Sequence, residues 1–204
     1  MPMIRAMRLL NAIEAGTTSG EQLQTLIAAD PGRLAELNVL LGMRGQARRM
    51  AASSTAMQAV AASSTAMTAV AGSAAAKMAM FGSDTALNAI AASSTAITAI
   101  RAAAGYSVLA TASAPGSRAW PGVAGGKYII AGVSTNDAST GATITVSTLR
   151  AGSARPNTHL TDASSVSLAT ALGAILCPCE EAFTVTTTDG TGQIIYLGAL
   201  RCDV

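Results

Sequence analysis

The stretch AASSTAMQAVAASSTAMTAV, from Ala51 to Val70, is one decapeptide written twice with a single change at its eighth place. With drift it continues as AGSAAAKMAM, FGSDTALNAI and AASSTAITAI, ending at Ile100. A period of ten is hard on a helix. Ten residues at about 100° each fall about 80° short of three full turns, so the apolar stripe of one straight helix would drift around its axis. As a coiled coil, a decad is a heptad plus a three-residue stammer at every repeat, and a continuous rod would be overwound throughout. Interrupting the helix once per repeat costs less strain. The third column supplies the interruption, because it is always serine: Ser53, Ser63, Ser73, Ser83 and Ser93. The fourth column becomes aspartate at Asp84, and Gly72 and Gly82 stand just before the serine. Ser and Asp share the capacity to cap a helix or close a local turn. Each decad is therefore expected to be a short helix, Thr55 to Ala61 in the first, followed by a capping turn. A strand solenoid lacks the β-branched alternation it needs, and alanine disfavours it.

The sixth and ninth columns are always alanine, and the tenth is always large and apolar. The seventh is Met57, Met67, Leu87 or Ile97, broken only by Lys77. Such an array is one-dimensional, and a single unit cannot bury its apolar face alone. Composition sharpens the point. Half of the 204 residues are hydrophobic, yet 3 % are aromatic and 12 % charged, so the apolar fraction is largely alanine. At roughly 25 cal/mol per Å², an alanine core cannot by itself offset backbone ordering of ~1–2 kcal/mol per residue. The expectation is that two or three copies wind together into a shaft over residues 51–100. Met57, Val60, Met67, Val70, Met80, Leu87, Ile90, Ile97 and Ile100 would form the oligomer interface.

The flanks differ in composition. Residues 1–50 read as three short amphipathic helices, with Gly16 and Gly42 as stops and Asp30-Pro31 as a start signal. They are too little for a robust domain alone, so they are expected to be a head that docks on a partner, with Leu9, Ile13, Leu23, Leu26, Leu34, Leu37 and Leu40 as anchor residues. Residues 101–126 are a turn-rich junction. From Lys127 the pattern changes to strands: KYIIAGV, ATITVSTL, AFTVTTT and QIIYLGALR. TTDGTGQ reads as a hairpin turn between the last two, and SSVSLATALGAIL as a short helix or a further strand. Residues 127–204 are thus expected to form an antiparallel β domain, a sandwich, and the whole chain an elongated α+β molecule.

No residue constellation points to catalysis, to a cofactor or to a metal. His159 is the sole histidine and sits in a loop-like context, RPNTHLTD. Glu180 and Glu181 are adjacent, so on a strand they face opposite ways. Cys177, Cys179 and Cys202 are an odd set without zinc-like spacing, and read as free thiols or one bridge involving Cys202. The net charge of +2, with Arg44, Arg48 and Arg49 clustered but no aromatic nearby, gives no reason to expect a nucleic-acid partner. Asn11 and Glu14 interrupt any signal-like apolar run, and residues 86–104 are only marginally apolar, so neither an export signal nor a membrane partner is expected.

The decad AASSTAM-x-AV, preceded by LLGMRGQARRM, resembles the repeats of fibre and appendage proteins of tailed bacteriophages. The likeness covers the head and the repeat, about half of the chain; AGSAAAKMAMFGS, with Lys77, departs from it. It implies a virion structural protein without enzymatic activity, homo-oligomeric and commonly trimeric. The head would attach to other virion proteins on the neck, tail or head, and the β domain would be displayed, with a host-surface receptor as a further partner. A trimeric bacterial surface adhesin is the rival, but it would need an export signal and an anchor. An Ala/Thr-rich surface-binding protein is another; its threonine column Thr55, Thr65, Thr85 and Thr95 is broken by Ala75.

Overall fold

The computed structural model describes residues 2–113, 116–119, 125–135, 142–146, 159–162, 177–180, 184–187 and 193–204. The chain is α+β and divides into a helical unit, Met1–Gly105 with Asp203–Val204, and a β unit, Tyr106–Cys202.

In the helical unit each decad is one helix. After α1 (Pro2–Glu14), α2 (Gly20–Ala29), α3 (Pro31–Gly42) and α4 (Arg44–Ala52) come α5 (Ser54–Ala62), α6 (Ser64–Gly72), α7 (Ala74–Phe81), α8 (Asp84–Ala91) and α9 (Ser94–Arg101). The expected segmentation is present, one residue longer at each end than Thr55 to Ala61. The break is a single residue at Ser53, Ser63 and Ser73, which each end one helix and cap the next in extended conformation with φ of −90°, −103° and −100°, and two residues at Gly82-Ser83 and Ala92-Ser93. Each serine Oγ accepts the N–H of the residue three further on, as at Ala56, Ala66 and Ala76. That satisfies one of the orphan donors at the new helix start.

The short helices coil. α2 packs on α5, α3 on α6, α4 on α7, α5 on α8 and α6 on α9, so three helices complete a turn and each turn stacks on the previous one. α1 lies against α3 and α5. Head and repeat therefore share one unit, and the chain has no structural break at residue 50. The decad register runs back into the head. Leu37, Leu40 and Leu41, then Ala47, Met50 and Ala51, occupy the places of Met57, Val60 and Ala61, and all nine are buried. A second bond locks the turns together. Ser73, Ser83 and Ser93 donate their hydroxyls to the main-chain oxygens of Leu41, Ala51 and Ala61, at 2.9, 2.6 and 2.6 Å. Each of these oxygens belongs to the last turn of the helix three places earlier, where carbonyls lack intrahelical donors.

Two glycines are dictated by this packing. Gly16 takes φ +70° to end α1. At Gly20 a Cβ would lie 2.4 Å from the Ala62 Cβ and 2.7 Å from the Ala59 oxygen, so α2 seats on α5 only without a side chain there. Arg49 of α4 binds Glu14, and its Nη2 donates to Asn11 Oδ1 at 2.9 Å, which ties α1 to the first turn.

The β unit contains β1 (Tyr106–Ser113), β2 (Gly116–Ala119), β3 (Lys127–Thr135), β4 (Ala142–Val146), β5 (His159–Asp162), β6 (Cys177–Glu180), β7 (Thr184–Thr187) and β8 (Gln193–Arg201). They make two antiparallel sheets, in the orders β1-β8-β3-β6 and β2-β7-β4-β5. Three expectations change here. The unit begins at Tyr106, inside the stretch read as a junction: β1 pairs with β8 from Tyr106↔Leu200 to Ser113↔Gln193. β7 and β8 lie in different sheets, so TTDGTGQ does not join a two-stranded hairpin. His159 opens a strand, opposite Thr145, rather than sitting in a loop. The Tyr106 ring lies across Gly198, where an added Cβ would fall 1.8 Å from the phenolic oxygen. Tyr128, Ile129, Ile130, Ala131, Ala199 and Leu200 are buried, and β3 carries a bulge between Ile130 and Gly132. SSVSLATALGAIL lies outside the described residues.

Candidate functional site

The residues expected between chains are closed within one. Met57, Val60, Met67, Val70, Leu87, Ile90 and Ile100 are 0 % exposed in the single chain, and Met80 and Ile97 are also buried. The cause is the stacking of every helix on the third one along. It turns the seventh and tenth columns of successive turns toward one another, while the alanines let the helices approach. The structure thus corrects the assignment of these nine positions to a shared axis between copies. Fully burying one such side chain is worth about 1.5–3 kcal/mol, and two in every decad but the third, where Lys77 leaves one, give the chain an apolar core of its own.

The anchor residues divide. Leu9, Ile13, Leu23, Leu37 and Leu40 are buried in the helical unit and unavailable to a partner in this fold. Leu34 is partly exposed, and Leu26 is 39 % exposed. A docking surface on the head can draw on Leu26 and Leu34 alone of this set, and must otherwise be built from other side chains.

Two open grooves on the helical unit offer such surfaces. One, of about 590 Å³, is lined by Arg5, Arg8, Leu9 and Ala12 of α1, by Thr18, by Leu26 of α2, and by Asp30 and Arg33. Arg33 is committed to Glu36 at 2.9 Å and lies 3.9 Å from Asp30. Asp30 in turn caps α3, its Oδ1 accepting the Gly32 N–H at 2.8 Å. Arg5 and Arg8 are exposed, and neither is in an ion pair among the described residues. The second groove, about 610 Å³, runs between α4 and α7 and includes Arg44, Arg48, Ser73, Met78 and Asp203. Beside it lies the explanation of the broken seventh column. Lys77 is 5 % exposed and its Nζ donates to the main-chain oxygen of Val204, so the repeat departs from its pattern where this residue reaches a partner.

A further contact escaped the sequence reading. Gln24 of α2 accepts the Ser63 hydroxyl at 2.7 Å through Oε1, and its Nε2 donates to Thr65 Oγ1 at 3.1 Å. It takes the part that a helix-end carbonyl takes for Ser73, Ser83 and Ser93, because the decad register does not extend back to α2. Nothing in the local sequence of EQLQTLIAA signals this; only the three-helix turn places Gln24 under Ser63.

Among the described residues no group of three or more His, Cys, Asp or Glu side chains is placed to hold a metal ion. Cys202 is buried in the β unit, its N–H donating to the Lys127 oxygen at 2.7 Å. Glu180 pairs with Lys127 at 2.8 Å across β6 and β3. The side chains of Cys177, Cys179 and His159, and all of Glu181, lie outside the described residues. No described helix is long and apolar enough to cross a membrane. No protein-family model matches the sequence, and no similar chain is found among curated proteins.

Proposed function

We propose that this chain is a non-enzymatic structural protein of a tailed-phage particle, an elongated fibre or appendage subunit in which the stacked helices supply length and the β unit, folded as a sandwich, is displayed. The observation that supports the reading best is the repeat itself. It yields helices that stack by a fixed rule and are bonded turn to turn by serine, an arrangement suited to setting distance and presenting a surface. The likeness of the SSTAM decad to phage appendage repeats supplies the particle. The head attaches to other virion proteins and the β unit meets a host-surface receptor. The homotrimer rests on that likeness alone, because the columns that motivated it are closed within one chain. Copies that associate do so through other surfaces. The test is gold labelling of intact particles with an antibody against the β unit. Label on the neck, tail or head supports the proposal; particles of full protein complement that carry no label refute it.

A further inference from the structure

We infer that the groove between α1, α2 and the start of α3 is a docking site for a short acidic segment of another protein, one that carries carboxylates on either side of an apolar side chain. The inference rests on the proposed function, since it gives the chemistry by which the head meets its partner.

Arg5 and Arg8 are three apart on α1, so they stand on one helix face within reach of a single ligand. Both are exposed, and both are without an ion-pair partner among the described residues, whereas Arg33 and Arg49 are matched by Asp30, Glu36 and Glu14. Between the two sides of the groove lies an apolar patch, the 39 %-exposed Leu26 with Ala12, above the buried Leu9. At the outer end of α1, Met3 and Ile4 are 55 % and 52 % exposed. Cationic forks beside a small apolar floor complement a peptide with paired carboxylates and one aliphatic residue. The same surface suits a nucleic acid poorly. No aromatic side chain lines it for base stacking, and the Asp30 carboxylate within it would repel a run of phosphates.

The experiment uses the full chain and a short fluorescein-labelled peptide with aspartates either side of one leucine in a Gly-Ser background. The comparators are the same peptide with asparagines and a labelled single-stranded oligonucleotide, all followed by anisotropy. Saturable binding of the aspartate peptide is expected, at least about tenfold weaker for the Arg5→Glu/Arg8→Glu variant and unchanged for Arg44→Glu/Arg48→Glu. All three proteins should share one far-ultraviolet circular dichroism spectrum, since the four arginines are exposed. Absence of saturable binding, equal binding of the asparagine peptide, tighter binding of the oligonucleotide, or indifference to Arg5 and Arg8 each overturns the assignment. Particle incorporation then separates the two levels. Wild-type protein missing from particles defeats the proposed function while peptide binding stands. Wild-type incorporation that persists undiminished in Arg5→Glu/Arg8→Glu defeats the docking site alone.

Discussion

At Ser83 one hydroxyl does two things: it accepts the Ala86 N–H at 3.2 Å and donates to the Ala51 oxygen at 2.6 Å. Any good cap can do the first, but only a hydroxyl can do both. This is why aspartate enters the repeat at the fourth column and not the third. Ser83→Ala should lose the cap and the inter-turn bond together, about 2 kcal/mol in all. Ser83→Asp keeps the acceptor but loses the donor and sets a carboxylate against a carbonyl, so it should also be destabilised, by about 1–2 kcal/mol. Urea unfolding followed by helical circular dichroism measures both. An aspartate variant as stable as the parent would mean that the bond to Ala51 contributes nothing.

Helix against helix, the question is whether the apolar columns close a core or an interface. Val70→Ser removes a fully buried side chain and leaves a hydroxyl in its place, and should cost about 2–3 kcal/mol. Thr68→Ser, in an exposed position of the same helix, should change stability by less than about 0.5 kcal/mol. The discriminating feature is concentration: the urea midpoint of the helical transition should not move over a hundredfold range of protein, whereas an interface would make it rise. Gly20→Ala forces α2 off Ala62 and should cost about 1–3 kcal/mol. Much of this level was legible in the sequence. The serine columns gave away the breaks, and the strain of a ten-residue period explained why there had to be breaks. What a period cannot show is whether successive helices run on along an axis or turn back on themselves. One extended residue at Ser53 or Ser63 decides that, and its φ of −90° or −103° is a property of the stacked array. The same blindness assigned Leu37 and Leu40 to a partner surface, although they repeat the spacing of Met57 and Val60. In the β unit, YSVLATAS was unreadable because two alanines and two serines dilute its Tyr, Val and Thr, and its pairing with β8 is a long-range event.

For the molecule as a whole, the head is the first turn of the array rather than an appendix to it. Removing residues 1–42 strips α1, α2 and α3 from the helices stacked on them and bares Met57, Val60 and their neighbours. The truncated chain should aggregate or lose its cooperative transition, which size-exclusion chromatography and thermal unfolding would show; a soluble, cooperatively folding product would mean the first turn is dispensable. The three-helix turn also has a consequence for how such a gene can change. Each decad occupies one side of the coil, and the following decad the next. Gaining or losing one decad therefore moves every later residue to a different side, and a surface made by two stacked helices, such as that of α4 and α7, is split. Gaining or losing three returns each residue to the side it left. The repeat tract is thus a reading frame with a step of three decads, and lineages that preserve a working surface should differ in length by multiples of that step, a count that related sequences can supply.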